Sequence, residues 1–192
     1  MIRLILALTA PRTIFQSTHD YKAELERCIR AWRSNAGYLK DIPIHLSTDI
    51  EGFKAECEVH YLKYHLNDRF GYAVVHESGA FFQSLFPADT LIHIDLDMTC
   101  LKPIPPDLLL YTCVGGYDRV ECQERLEHSK HLGLKVFTNT DLIITPPKSE
   151  YYREYLKLFR ESTFWAYEEM ISDLVVKAKN YRVLYGYESD FN

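Results

Sequence analysis

Two aspartates, Asp95 and Asp97, follow the apolar run Leu91-Ile92-His93-Ile94, and Cys100-Leu101-Lys102-Pro103-Ile104 comes next. A run this short and apolar predicts a strand buried on both faces, with the aspartates where it ends. Alternate residues of a strand point the same way, so both carboxylates are expected to converge on one small volume. Converging carboxylates repel unless a cation, a proton or hydrogen-bond donors compensate. Oxygen donors of this kind suit Mg²⁺ or Mn²⁺, which complete their shells with substrate phosphate and water. The chemistry to expect is therefore metal-assisted work on a phosphorylated substrate. A D-x-D triplet is weak evidence by itself, because a strand end with two solvated aspartates has the same spacing.

The elements around this run must position it. Ile2 to Leu8 predicts a strand, broken by Thr9-Ala10-Pro11-Arg12, and Tyr21 to Ser34 has helical spacing with Leu25, Cys28, Ile29 and Trp32 on one face. Ile42 to Leu46 predicts a second strand, ending at Ser47-Thr48-Asp49. Phe53 to Tyr72 reads as a short strand plus a helix, and Phe81 to Phe86 as a helix leading into the strand before Asp95. Leu108 to Val114 predicts a further strand before Gly115-Gly116-Tyr117-Asp118. Arg119 to His131 is polar, either helix or loop. Val136-Phe137 and Leu142-Ile143-Ile144 flank Asn139-Thr140-Asp141, and 149–179 has the pattern of amphipathic helix, divisible in two, before a short strand at Tyr181 to Leu184. Alternating strands and helices imply an α/β domain with a mostly parallel central sheet flanked by helices. Ligands of such sheets bind beyond the carboxyl ends of the strands, where Thr9, Asp49, Asp95, Asp97 and Asp118 all fall.

Composition sets bounds. The 192 residues suit one domain (1–192, or a fragment of something larger), and 47% hydrophobic with 26% charged residues is ordinary for a soluble protein. A net charge of −5 without a basic run argues against a nucleic-acid partner. No stretch approaches the roughly 18 apolar residues of a membrane span. The five cysteines have neither C-x-x-C pairing nor zinc spacing, and buried thiols in a reducing, cytoplasmic setting are expected. His60, His65 and His76 are expected to be surface or partner-satisfied residues, and His93 to pack in the sheet. His128 and His131 form a weak pair, and Gly115-Gly116 lacks the surroundings of a phosphate loop.

Leu91 to Ile104, with Leu85-Phe86-Pro87 before it, resembles the D-x-D region of GT-A-fold glycosyltransferases, nearest the glycogenin-like and DXD sugar-binding-region families. Val114 to Asp118 is similar to the strand that follows D-x-D there, and Phe137 to Ile144 to a Phe-Asn-Ser-Gly-apolar stretch beside the donor sugar. The resemblance implies a retaining, metal-dependent transferase. It would move a sugar from a nucleotide-sugar donor, a UDP-sugar first among them, to a glycan or glycoconjugate acceptor. It implies Mn²⁺ (or Mg²⁺) on Asp95 and Asp97, with Asp95 also reaching the donor. Thr9, Ala10, Arg12 and Asp49 would serve the nucleotide end, and Asn139 and Asp141 the sugar and acceptor. This chain departs from the pattern in having Asp141 in place of Gly and no histidine after His131. Asp190 or water would have to replace the late histidine ligand, and Glu188 to Asn192 faintly resembles the family's acceptor-side segment.

A rival resemblance is to haloacid-dehalogenase-type phosphatases, whose first motif is matched by Asp95-Leu96-Asp97-Met98-Thr99. There Asp95 would be the nucleophile and Asp97 the acid/base beside Mg²⁺. That motif normally lies on the first strand, whereas two strand candidates precede it here. A third reading is a GT-A-shaped module that binds nucleotide sugars without turnover.

Overall fold

Short runs rich in β-branched residues and leucine, among them Ile2–Leu8, Ile44–Thr48 and Thr90–Ile94, build the central layer of the protein. The computed structural model describes residues 1–10, 20–65, 72–117, 123–134, 136–161 and 168–185. Its strands are β1 (Ile2–Leu8), β2 (Ile44–Thr48), β3 (Glu58–Tyr61), β4 (Thr90–Ile94), β5 (Cys113–Tyr117), β6 (Phe137–Thr145) and β7 (Arg182–Tyr185). The helices are α1 (Tyr21–Asn35), α2 (Tyr72–Leu85), α3 (Gln123–His131), α4 (Tyr151–Glu161) and α5 (Glu168–Lys179).

All seven strands join one sheet in the order β3-β2-β1-β4-β6-β5-β7. β6 runs antiparallel to β4 and β5, and every other pairing is parallel. The expected mostly parallel α/β sheet flanked by helices is the observed fold.

Strand alternation divides the core. Leu4, Leu6, Leu8, Ile44, Leu46, Ile92 and Ile94 face α1, where Leu25, Cys28, Ile29 and Trp32 are buried against them. The opposite face carries Ile5 and Leu91 under Phe82 of α2. It also holds three buried polar residues, His45, Ser47 and His93. Buried polar atoms need partners, and Ser47 finds them in Ser78 Oγ (2.6 Å) and Tyr64 OH (3.0 Å). Farther along, Tyr151, Tyr152 and Tyr155 of α4 pack with Ile171, Val175 and Val176 of α5 over Val114 and Ile143. Gly79 lets α2 approach α4: a Cβ there would stand 2.2 Å from the Tyr152 ring.

Two expectations need correction. The strand expected over Leu108 to Val114 begins only at Cys113, because Pro106–Leu110 forms a 3-10 turn with proline in its first turn. β4 stops at Ile94, so Asp95 and Asp97 do not alternate along a strand; Met98 N donates to Asp95 O (3.2 Å), closing a turn that contains both. The ambiguous stretches resolve into β3, the start of α2, and α3, and the 149–179 pattern into α4 and α5. β4, which leads into the D-x-D turn, is the fourth strand in chain order rather than the first.

Candidate active site

The parallel strands β2, β1 and β4 lie side by side, so the residues just after them share one rim of the sheet. After β1 and β2, Asp49 accepts hydrogen bonds from Thr9 Oγ1 (3.0 Å) and Ala10 N (2.7 Å). Thr9, Ala10 and Asp49 are thus together, with the Asp49 carboxylate fixing the path of the chain as it leaves β1. Arg12 and Asp118 lie outside the described residues, as do Glu188, Ser189 and Asp190.

After β4, the D-x-D turn rests on α1. Arg27 Nη2 donates to Asp97 O (3.3 Å), Cys28 Sγ to Asp95 O (3.9 Å) and Asn35 Nδ2 to Cys100 O (2.7 Å). Tyr38 OH donates to Ile104 O (2.6 Å), and Pro103 packs on Gly37, whose φ of +58° and lack of a Cβ both suit the close approach. The Lys-Pro-Ile segment therefore anchors the turn from its far side. Burial, with Asp95 nearby, pushes the Cys28 thiol up to about 12, so it is an inert support.

The other wall comes from β6. Pairing with β5 slips between Val114, opposite Ile143, and Gly115, opposite Asn139. The slip sets Thr140 to Leu142 out of register with β5 while Leu142 still pairs with Ile94 of β4. Gly115 permits this approach, since a Cβ there would lie 3.2 Å from Asn139 O. Asp141 is carried beside the D-x-D turn, its carbonyl accepting from Asp95 N (3.1 Å). Asn139 holds it on both sides: Nδ2 donates to Asp141 Oδ2 (2.8 Å), and Asn139 Oδ1 accepts from Asp141 N (2.6 Å). Behind them the buried Asp173 of α5 accepts from Thr138 N (2.8 Å) and from Ser129 Oγ, tying β6 to α5 and α3.

Asp95, Asp97 and Asp141 meet here, and burial is the first influence on the ionisation of Asp95 and Asp141. Burial, then the charge of Asp97, pushes Asp95 up to about 7. Asp141 is raised well above the usual carboxylate range by burial and by Asp95, and it shares a hydrogen bond with Asp95. Burial and mutual repulsion thus favour a proton shared between Asp95 and Asp141. Asp97 is exposed.

His93 is a member that sequence reasoning assigned to sheet packing. It is fully buried, its Nε2 lies 2.9 Å from Asp95 Oδ1, and burial pushes its pKa down to about 4. A neutral imidazole with its proton on Nε2 therefore orients Asp95. The available signal was the spacing of two between His93, on β4, and Asp95, just beyond the end of that strand.

An ion such as Mn²⁺ or Mg²⁺ fits this donor set. The site is all oxygen, and the ionised form of Asp95 and Asp141, which burial and then repulsion disfavour, is what a cation stabilises. The three carboxylates do not place three oxygens within 4.8 Å of one another, so an ion on Asp97 and Asp95 would need substrate phosphate or water to complete its shell. Among the described residues the one compact trio of metal-ligating atoms is elsewhere, at His45, Glu58 and His60.

No family model matches this chain, and no curated protein does either. Solved structures do. The nucleoside-diphosphate-sugar pyrophosphorylase of Vibrio cholerae RC9 superposes with a TM-score of 0.53 at 13% identity, covering 98% of this chain and 93% of that one. Identity this low speaks to fold and not to reaction. The chain shares the α/β fold of that protein, with its acidic turn on the rim beyond the parallel strands.

Proposed function

We propose that the protein is a metal-dependent glycosyltransferase that takes a sugar from a nucleoside diphosphate, UDP first among them, and gives it to a glycan or glycoconjugate. The observation that carries this reading is the meeting of Asp95, Asp97 and Asp141 on the ligand rim of the sheet, beside the loop that Asp49 pins to Thr9 and Ala10. Such a rim offers a nucleotide cradle on β1 and β2 and a charge-deficient acidic centre on β4 and β6.

Mn²⁺ or Mg²⁺ bound on Asp95 and Asp97 would supply positive charge to the departing diphosphate. The protein's own groups do the rest. His93 fixes the Asp95 carboxylate, Asn139 fixes Asp141, and α1 holds the turn rigid through Arg27, Cys28 and Asn35. In the transfer, the bond from the anomeric carbon to the diphosphate oxygen breaks and a bond to the acceptor oxygen forms. The acceptor proton leaves to a base, and developing positive charge at the anomeric carbon is met by the Asp95 and Asp141 oxygens. Retention of configuration is part of the proposal, as is a single catalytic domain. We place the protein in the cytoplasm, in keeping with four free thiols among the described residues. No described helix is long and apolar enough to cross a membrane.

A second reading is favoured by the structural likeness to a pyrophosphorylase. The same rim would then join a sugar phosphate to a nucleoside triphosphate, with a sugar-phosphate oxygen attacking the α-phosphorus and pyrophosphate leaving. Product analysis separates the two. Mn²⁺-dependent release of UDP from a UDP-sugar, rising with added acceptor glycan, supports glycosyl transfer. Release of pyrophosphate from UTP and a sugar 1-phosphate would replace it with the second reading. Phosphate release from a simple monoester would revive the phosphatase, and binding of a UDP-sugar without release of any product would leave a binding module.

A further inference from the structure

At the far edge of the sheet, away from the acidic turn, three metal-ligating side chains meet that have no part in the proposed transfer. In the parallel pairing of β2 and β3, His45 stands opposite Glu58 and Ser47 opposite His60. His45 Nδ1 lies 3.1 Å from His60 Nε2 and 3.3 Å from Glu58 Oε2, and His60 Nε2 lies 3.3 Å from Glu58 Oε1. An ion with ligand bonds of about 2.0–2.1 Å in tetrahedral geometry separates its ligand atoms by about 3.3 Å. His45 Nδ1 and His60 Nε2 already stand near the separation of two ligands of such an ion. Glu58 offers a carboxylate oxygen 3.3 Å from each, Oε2 to His45 and Oε1 to His60, with one ligand atom from each residue within 4.8 Å of the others.

Aromatic rings enclose the pair of imidazoles. Phe81, Phe82 and Phe86 line the imidazoles, with ring centroids 4.8 to 5.9 Å away. His45 is 1% exposed, His60 16% and Glu58 62%, so the fourth ligand position opens to solvent. Arg3 Nη1 lies 2.9 Å from His45 Nε2. When His45 gives its Nδ1 lone pair to a metal its proton moves to Nε2, and Arg3 must let go. Arg3 keeps Asp89 (2.6 Å) and the Phe86 ring (3.8 Å) as partners when it does.

We infer that His45, Glu58 and His60 form a site for a divalent transition ion of the zinc class, clipping the edge strand β3 to β2. Two imidazoles and a carboxylate are borderline donors that favour Zn²⁺ over Mg²⁺ or Mn²⁺, so this site and the acidic turn select different ions. An edge strand of four residues has backbone pairing on one side only, and a side-chain clip secures its register.

Co²⁺ is the probe, because its visible absorption distinguishes four-coordinate from hydrated ion, with Zn²⁺ as competitor. The protein is expected to take up one equivalent with a four-coordinate spectrum that Zn²⁺ abolishes. His60→Gln and Glu58→Gln should each weaken uptake more than tenfold, while Asp97→Ala leaves it unchanged. Both ligand variants alter partly exposed side chains, and circular dichroism without metal confirms that each is folded. Absence of a four-coordinate spectrum in the wild type overturns the inference, leaving a hydrogen-bonded histidine pair. Uptake that persists in folded His60→Gln overturns it equally.

Discussion

Replacing Asp95 by asparagine tests the electrostatics of the acidic turn without changing its shape. The substituted side chain keeps an oxygen for His93 Nε2 and gains an amide that can donate to Asp141. In the native fold Asp95 is pushed from 3.8 to about 7, first by burial and then by Asp97. About three units at about 1.4 kcal/mol each would be ~4 kcal/mol. A third of the side chain is exposed (33%), so solvent screening reduces this to about 2 kcal/mol. The sign follows from proton uptake. Below pH 3.8 the carboxyl is protonated whether folded or unfolded, and its ionisation costs the fold nothing. Between about 4 and 7 the folded protein holds the proton that the unfolded chain releases, so stability falls as pH rises, and above about 7 the full penalty stands. For a chain of this length ~2 kcal/mol corresponds to a Tm difference of roughly 4–8 °C. Thermal unfolding in chelator should therefore show Asp95→Asn more stable than wild type by that amount at pH 8 and equal to it at pH 4. Added Mn²⁺ should recover the difference in the wild type only. An Asp95→Asn protein no more stable than wild type at pH 8, or equally stabilised at pH 4, would refute the reasoning.

Two further outcomes follow from the packing. Asp49→Ala removes the acceptor of Thr9 Oγ1 and Ala10 N. It should cost about 1–2 kcal/mol in denaturant unfolding and weaken nucleotide binding more than it alters metal binding. Gly79→Ala drives a methyl into the buried Tyr152 ring. It should lower stability by about 3 kcal/mol in the same assay, with the acidic turn's metal affinity intact in the folded fraction.

What the chain reveals of its own fold depends on how local each signal is. β1, β4 and α1 are legible because their apolar periodicity lies in consecutive residues, and the parallel sheet follows from their alternation with helices. The 3-10 turn at Pro106–Leu110 is not, since Leu108-Leu109-Leu110 has the composition of a strand and only Pro105-Pro106 marks the exception. The acidic turn is legible for a partly mistaken reason: the carboxylates gather because β6 slips against β5 and brings Asp141 across, not because Asp95 and Asp97 alternate on a strand. That slip depends on pairing between residues far apart in the chain, which no local pattern records. The His45, Glu58 and His60 cluster is hidden for the same reason, as its members meet only through the register of β2 and β3. Of the residues expected at the nucleotide end, Thr9, Ala10 and Asp49 are brought together by hydrogen bonds.

Calorimetric titration of UDP, GDP and UDP-sugars into wild type and Asp97→Ala, with and without Mn²⁺, tests the central claim most directly. Asp97 is exposed, so its loss should spare the fold while removing a metal ligand. The account predicts binding of a uridine nucleotide that requires Mn²⁺ and is lost in Asp97→Ala. Absence of nucleotide binding under every metal condition, or Mn²⁺-dependent binding that survives in Asp97→Ala, would contradict it.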